Sequence, residues 1–182
     1  MRGTEALHVK VPEQLAELKK ARAGTVVLLS GEVYTARDQA HLRMAEALRE
    51  GGEPPFDLRG GILYYAGPAP APPGRAAGAL GPTTSSRMDR FTPPLLARGL
   101  AAAIGKGPRS EEVRRSFLQH GAVYLVAVGG AAALLGSRVT EMEVVAYPEL
   151  GAEAVYRLRL ESFPAVVAYD AFGGDLFAGR RG

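Results

Sequence analysis

Thr25-Val26-Val27-Leu28-Leu29-Ser30 lies between Gly24 and Gly31, and is followed by Thr35-Ala36-Arg37-Asp38-Gln39-Ala40-His41 and an apolar spacing, Ala40, Met44, Ala47, Leu48, that runs to Gly51. The first stretch is a compact apolar run between glycines, which is how a strand buried on both faces reads. The second has the period of a helix, and Thr35 with Asp38 three residues on has capping-box spacing. A buried strand passing directly into an amphipathic helix is the unit of an α/β fold.

The same alternation extends outward. Upstream, Pro12 followed by Glu13, Leu15, Leu18 and Lys19-Lys20 predicts a short helix inside an N-terminal extension, residues 1–20, ahead of a single domain over 21–182. Downstream, Gly61-Ile62-Leu63-Tyr64-Tyr65 predicts a second strand, and Gly67-Pro68-Ala69-Pro70-Ala71-Pro72-Pro73-Gly74 a stiff extended connection, since so many prolines exclude helix and central strand. Leu95, Leu96, Leu100 and Ile104 mark a helix between Thr92-Pro93-Pro94 and Gly105, and Ser110-Glu111-Glu112 opens another that ends at His120-Gly121. A third buried strand is Ala122 to Val128, stopped by Gly129-Gly130 and followed by a short small-residue helix from Ala131 to Leu135. Strands are then expected over 142–147, 154–160 (with one wet face), 164–169 and 175–177. Without a strict βαβ rhythm, this mixture indicates α+β or a layered α/β fold.

Composition narrows the function. At 182 residues and 47% hydrophobic, the chain can bury one core without staples. It has no cysteine, so it offers no disulfide framework, no thiolate metal site and no cysteine nucleophile, and any iron–sulfur cluster must be held by another chain. A net charge of +3, scattered arginines and only 7% aromatic residues speak against nucleic-acid binding. No apolar run approaches the roughly 18 residues that span a bilayer, and the start has no leader-like apolar core, so a cytoplasmic protein is expected. Asparagine, cysteine and tryptophan are missing while Arg, Pro and Ala abound, the direction taken by thermophile proteins and also by GC-rich genomes.

One region resists a packing explanation. Gly81-Pro82-Thr83-Thr84-Ser85-Ser86-Arg87-Met88-Asp89 sets four hydroxyl residues in a row with no amphipathic period, and hydroxyls with free amides in a turn form a nest for carboxylate or phosphate. Arg87 can grip a carboxylate with its planar fork. Lys106, between Gly105 and Gly107, is one of four lysines against eighteen arginines and stands alone after position 20, so a compact ammonium is specifically used there. Arg37 and His41 fall one turn apart at a helix start where amides are free to meet an anion. Asp38 is expected to cap that helix, and Asp89 to bridge to an arginine.

Taken in order, Thr35-Ala36-Arg37-Asp38-Gln39-Ala40-His41, Tyr65-Ala66-Gly67-Pro68, the hydroxyl run 81–89, Ile104-Gly105-Lys106-Gly107, Val128-Gly129-Gly130-Ala131-Ala132 and Phe163-Pro164-Ala165 resemble the beta subunit of class I, iron–sulfur-dependent fumarate hydratase and tartrate dehydratase. The resemblance covers the chain from about residue 20. It implies a layered α/β fold with a mixed sheet, the swivelling β/β/α domain, here in its separate-chain form. It also implies an alpha-subunit partner that holds a [4Fe-4S] cluster by three cysteines with one iron open, the active site lying between the two. Carried over position by position, Arg37, Arg87 and Lys106 would bind the carboxylates of a C4-dicarboxylate, with Thr84 beside them, and Thr83 would sit at the reacting carbon; Thr83 and Lys106 are the catalytic candidates, and no residue is a metal ligand. The implied reaction is reversible hydration of fumarate to malate. Three alternatives remain: a tartrate dehydratase beta subunit, a non-catalytic anion-binding module, for which Gly105-Lys106-Gly107 lacks the Walker spacing, and a purely structural partner.

Overall fold

The computed structural model describes residues 5–127 and 130–179. They form a mixed α/β domain whose seven strands make one sheet: β1 (Leu7–Val11), β2 (Val26–Thr35), β3 (Ile62–Tyr64), β4 (Ala102–Gly105), β5 (Val123–Ala127), β6 (Val139–Ala146) and β7 (Val155–Tyr169). The helices are α1 (Leu15–Lys20), α2 (Asp38–Arg49), α3 (Thr92–Ala97), α4 (Glu111–Gln119) and α5 (Ala132–Ser137), with short 3₁₀ helices at Ser85–Phe91 and Pro148–Glu153.

Strands β1 to β5 pair in parallel, in chain order. Strand β7 then runs antiparallel to both β5 and β2, so β2, β3, β4, β5 and β7 close into a ring of pairings, with β6 added on β7 and β1 on β2. Along β3, β4 and β5, side chains alternate between two cores. Val27, Leu29, Ile62, Tyr64, Ile104, Leu125 and Phe163 share one core, into which α1 sends Leu18 and α5 sends Leu135. Leu63, Tyr65, Ala103 and Tyr124 share the other with residues of α2, α3 and α4 such as Met44, Leu96 and Phe117. Every residue of β3 and β4 is therefore buried, as expected of parallel strands covered on both faces.

Several expectations are corrected. The strand opening at Val26 does not stop at Gly31 but passes through it to Thr35; a register shift against β7 occurs there, and a Cβ on Gly31 would overlap the Val11 carbonyl of β1. Residues before Pro12 include β1, which the sequence reading lacked. The helix expected across Leu95–Ile104 is two elements: α3 ends before Gly99, whose φ of 99° turns the chain, and Ala102–Gly105 is a central strand. Residues 154–160 and 164–169 belong to one strand, bent at Ser162, which takes φ 50°. Its Arg157 and Arg159 pair with Glu143 and Glu141 of β6 on the wet face. Asp175–Phe177 is a turn, anchored where Asp170 accepts from the Phe172 and Gly174 amides, and only a single bridge joins Tyr169 to Asp175. No helix among the described residues is long and apolar enough to cross a membrane.

Candidate functional site

In parallel sheets, ligands bind beyond the carboxyl ends of the strands, where the loops emerge. The segments that carry Arg37, the hydroxyl run and Lys106 meet there. Strand β2 ends at Thr35 and hands on to Arg37, β3 ends at Tyr64, and β4 ends one residue before Lys106. The hydroxyl run is laid across these ends by backbone contacts. Thr83 N donates to Tyr65 O at 2.8 Å, Pro82 bridges Ala66, and Thr84 bridges Lys106. Ser85 is buried and doubly bound to the lysine: its amide donates to Lys106 O at 3.0 Å, and its Oγ accepts from Lys106 N at 2.8 Å.

Arg87, in the 3₁₀ helix, donates from Nε to Asp38 Oδ1 at 3.0 Å, while its Nη2 lies 2.9 Å from Asp38 Oδ2. This pair ties the hydroxyl segment to the start of α2, beside Arg37. The Arg37 side chain passes a glycine, Gly67, whose Cβ would come within 3.1 Å of Arg37 Cδ. Its Nε is buried with no hydrogen-bond partner and lies 4.0 Å from Glu153 Oε1. Lys106 is exposed, and its ammonium makes no ion pair among the described residues. Thr83 is half-buried and Thr84 exposed, with no side-chain hydrogen bond among the described residues. The structure thus gathers the segments of Arg37, Thr83, Thr84, Arg87 and Lys106 at one edge of the sheet. Of the resemblance motifs, Val128-Gly129 lies outside the described residues.

The fumarase C-terminus profile matches residues 2–180 of the chain. The chain belongs to the fumarase C-terminus family. It is 39% identical over 173 residues to the class I, anaerobic fumarate hydratase of Escherichia coli (strain K12), covering 94% of this chain and 32% of that protein. Fumarate hydratase 2 of Leishmania major is 37% identical, over 93% of this chain and 30% of its own length. A protein of Methanocaldococcus jannaschii described as a putative L(+)-tartrate dehydratase subunit beta is 38% identical, over 88% of this chain and 86% of its own length. The chain spans about a third of the length of the fumarate hydratases it matches.

Two features of this fumarase C-terminus domain escaped the sequence. Thr35 is no helix cap: it ends β2, and its Oγ1 accepts from Tyr156 N at 3.2 Å, while Arg37 takes the N-cap position and Asp38 turns to Arg87. The second is Arg109, whose side chain is fully buried. Its guanidinium donates to Asp89 Oδ1 (2.6 Å), Thr92 Oγ1 (2.6 Å) and Tyr65 OH (3.2 Å), and its amide to Tyr169 OH (2.8 Å). Asp89 also accepts from Ser110 N. One cation thereby joins the 3₁₀ helix of Arg87, the β3 end that receives Thr83 and the loop after Lys106. The expected bridge from Asp89 to an arginine is present, and that arginine is Arg109.

Gly105 is the tightest point of this edge. A Cβ there would overlap Ser85 Oγ and come within 2.8 Å of Tyr65 Cδ2. Gly105→Ala is expected to cost about 1–3 kcal/mol by overpacking, read as a lowered urea midpoint, and to displace Ser85 from the Lys106 amide.

His41 lies inside the domain, 1% exposed, between Tyr65 and Phe91, with Nδ1 2.8 Å from Arg37 O. Burial pushes its pKa down to about 4, against the opposing pull of that carbonyl. In the unfolded chain the imidazole takes up a proton near pH 6.5, so its contribution to stability is full above that pH and is lost as pH falls towards 4. The loss amounts to about 3 kcal/mol. Urea unfolding at pH 7.5 and 4.5 should show this loss in the wild type and a shallower one in His41→Phe; equal slopes would contradict it.

Proposed function

We propose that the chain is the beta subunit of a class I fumarate hydratase, acting as the swivelling domain that clamps a C4-dicarboxylate against a cluster-bearing alpha subunit. The observation that carries this reading is the gathering of three cation-bearing segments, from three different strand ends, around one hydroxyl loop. A doubly ionised acid needs several convergent charge-assisted donors, and Arg37, Arg87 and Lys106 provide them. No residue set here suits a [4Fe-4S] cluster: the sequence has no cysteine, and among the described residues no group of three or more His, Cys, Asp or Glu could hold a metal. The cluster is therefore assigned to the partner, and no step is derived through it.

Hydration adds a hydroxyl to one carbon of the double bond and a proton to its neighbour; the reverse removes a proton next to a carboxylate. Charge then builds on that carboxylate, and Arg87 and Lys106 stabilise it most where it is greatest, in the transition state. Thr83 would offer its hydroxyl at the reacting carbon. An unassisted threonine is a feeble acid and base, so this role needs an activating group from the partner. Ser85 positions Lys106 through the two hydrogen bonds already described.

Anaerobic co-expression with a cysteine-bearing partner tests the reading. A stable complex that forms malate from fumarate, with neither subunit active alone, is expected; a complex without hydratase activity would refute it. A second reading, the beta subunit of an L(+)-tartrate dehydratase, is supported by the 38% identity to the M. jannaschii protein. Turnover of tartrate exceeding that of fumarate by the same complex would select it.

A further inference from the structure

Beside α2, where the 3₁₀ helix at Ser85–Phe91 meets α3, lies a cavity of about 230 Å³ that the clamp does not use. Leu48, Phe91 and Leu95 give it apolar walls. Arg49, Arg90 and Arg98, all exposed, supply three positive charges, and no acidic residue lines it. The Arg90 guanidinium lies 4.5 Å from the Phe91 ring centroid, and Arg98 Nη1 donates to Pro94 O at 3.3 Å.

His41 forms the buried wall. A carbonyl can only accept, so the Nδ1 contact with Arg37 O places the ring proton on Nδ1 and leaves a lone pair on Nε2. That Nε2 is buried with no partner. Burial also keeps the ring neutral at pH 7, so Nε2 accepts there and does not donate. A water on Nε2 would satisfy the acceptor but leave apolar walls and a cationic lining without a counterpart.

We propose that this cavity binds a small amphipathic organic acid of the hydroxy-aromatic class: an apolar ring against Phe91 and Leu95, a hydroxyl donating to His41 Nε2, and a carboxylate among Arg49, Arg90 and Arg98. Inorganic phosphate has no apolar body, and a C4-dicarboxylate would press a second charge against the apolar walls. The ring that reads the hydroxyl is the one that holds the Arg37 carbonyl, so the cavity is one hydrogen bond from the clamp.

Calorimetric titration of the full chain with 3-hydroxybenzoate and with benzoate tests this, and needs neither the partner nor fumarate. One-to-one binding of 3-hydroxybenzoate, about tenfold tighter than benzoate, is expected, the factor being that of one hydrogen bond to an otherwise unsatisfied acceptor. His41→Phe, which keeps a flat ring and deletes the acceptor, should bring the two acids to within about twofold of each other. Ala45→Phe, which fills the cavity from α2 and replaces no buried residue, should abolish both, and it serves as the control should His41→Phe fail to fold. No saturable heat with 3-hydroxybenzoate, equal affinity for the two acids, or binding that survives Ala45→Phe would each overturn the proposal.

Discussion

Arg87→Ala and Lys106→Ala, each assembled with the cluster-bearing partner, are expected to lower kcat/KM for fumarate by about 10²–10³, or roughly 2.7–4 kcal/mol of transition-state stabilisation per donor lost. The fold should hardly respond. Arg87 has 52% of its side chain exposed and meets Asp38 at the surface, where an ion pair contributes about 0–1 kcal/mol. Lys106 is held in place by its backbone, through Ser85, and truncating its side chain leaves those bonds intact. Arg87→Lys should recover little, because a single ammonium cannot reproduce a planar fork that engages Asp38 and a carboxylate together. Unfolding midpoints measured beside the kinetics separate the two outcomes. Near-normal kinetics in both alanine variants would remove the clamp from this chain.

The opposite pattern is expected at Asp89. Asp89→Ala strips the carboxylate from a guanidinium that has no access to water, and breaking such a buried pair from one side costs about 3–5 kcal/mol. Arg109 would keep Thr92 and Tyr65, which are neutral acceptors, and Ser110 N would lose its acceptor. Urea unfolding should show the fall, together with a loss of turnover in the assembled enzyme, since the 3₁₀ helix bearing Arg87 and the loop after Lys106 would no longer share an anchor. Asp89→Asn should recover part of the stability by keeping one acceptor oxygen. A midpoint unchanged in Asp89→Ala would mean that the network does not hold this edge together.

What was legible in the chain follows from where each signal is local. Strands β3 and β5 announce themselves because a strand covered on both faces is an apolar run, and glycines or a change of period frame it; β2 is an equally apolar run at its start, although only alternate residues along it are buried. Ser110 is read correctly as a cap, since its Oγ accepts from Val113 N three residues away. Strand β4 is hidden because Ala101-Ala102-Ala103-Ile104 continues the helical spacing of Leu95 and Leu96, and nothing nearby tells an alanine-rich strand from a helix; its parallel neighbours on both sides decide. Thr35 misleads in the same way, its hydroxyl being used by Tyr156, 121 residues on. Among the site residues, the hydroxyl run and Lys106 stood out by composition, whereas Arg109 is one arginine in eighteen. Its importance arises from burial beside Tyr65 and beside Asp89 and Thr92, two segments that lie apart from it in the sequence. An exposed arginine and a buried one look alike until the chain is folded.

The ring closed by β7 bears on how this domain comes into being. Strand β7 spans Val155–Tyr169 and supplies the antiparallel partner for both β2 and β5. During synthesis, β7 emerges more than 120 residues after the stretch of β2 that it pairs with, and until then two parallel strands present bare edges that favour association with other chains. Closure at so great a sequence separation is slow compared with local structure. Nascent or C-terminally truncated chains should therefore lean on chaperones far more than the finished domain does.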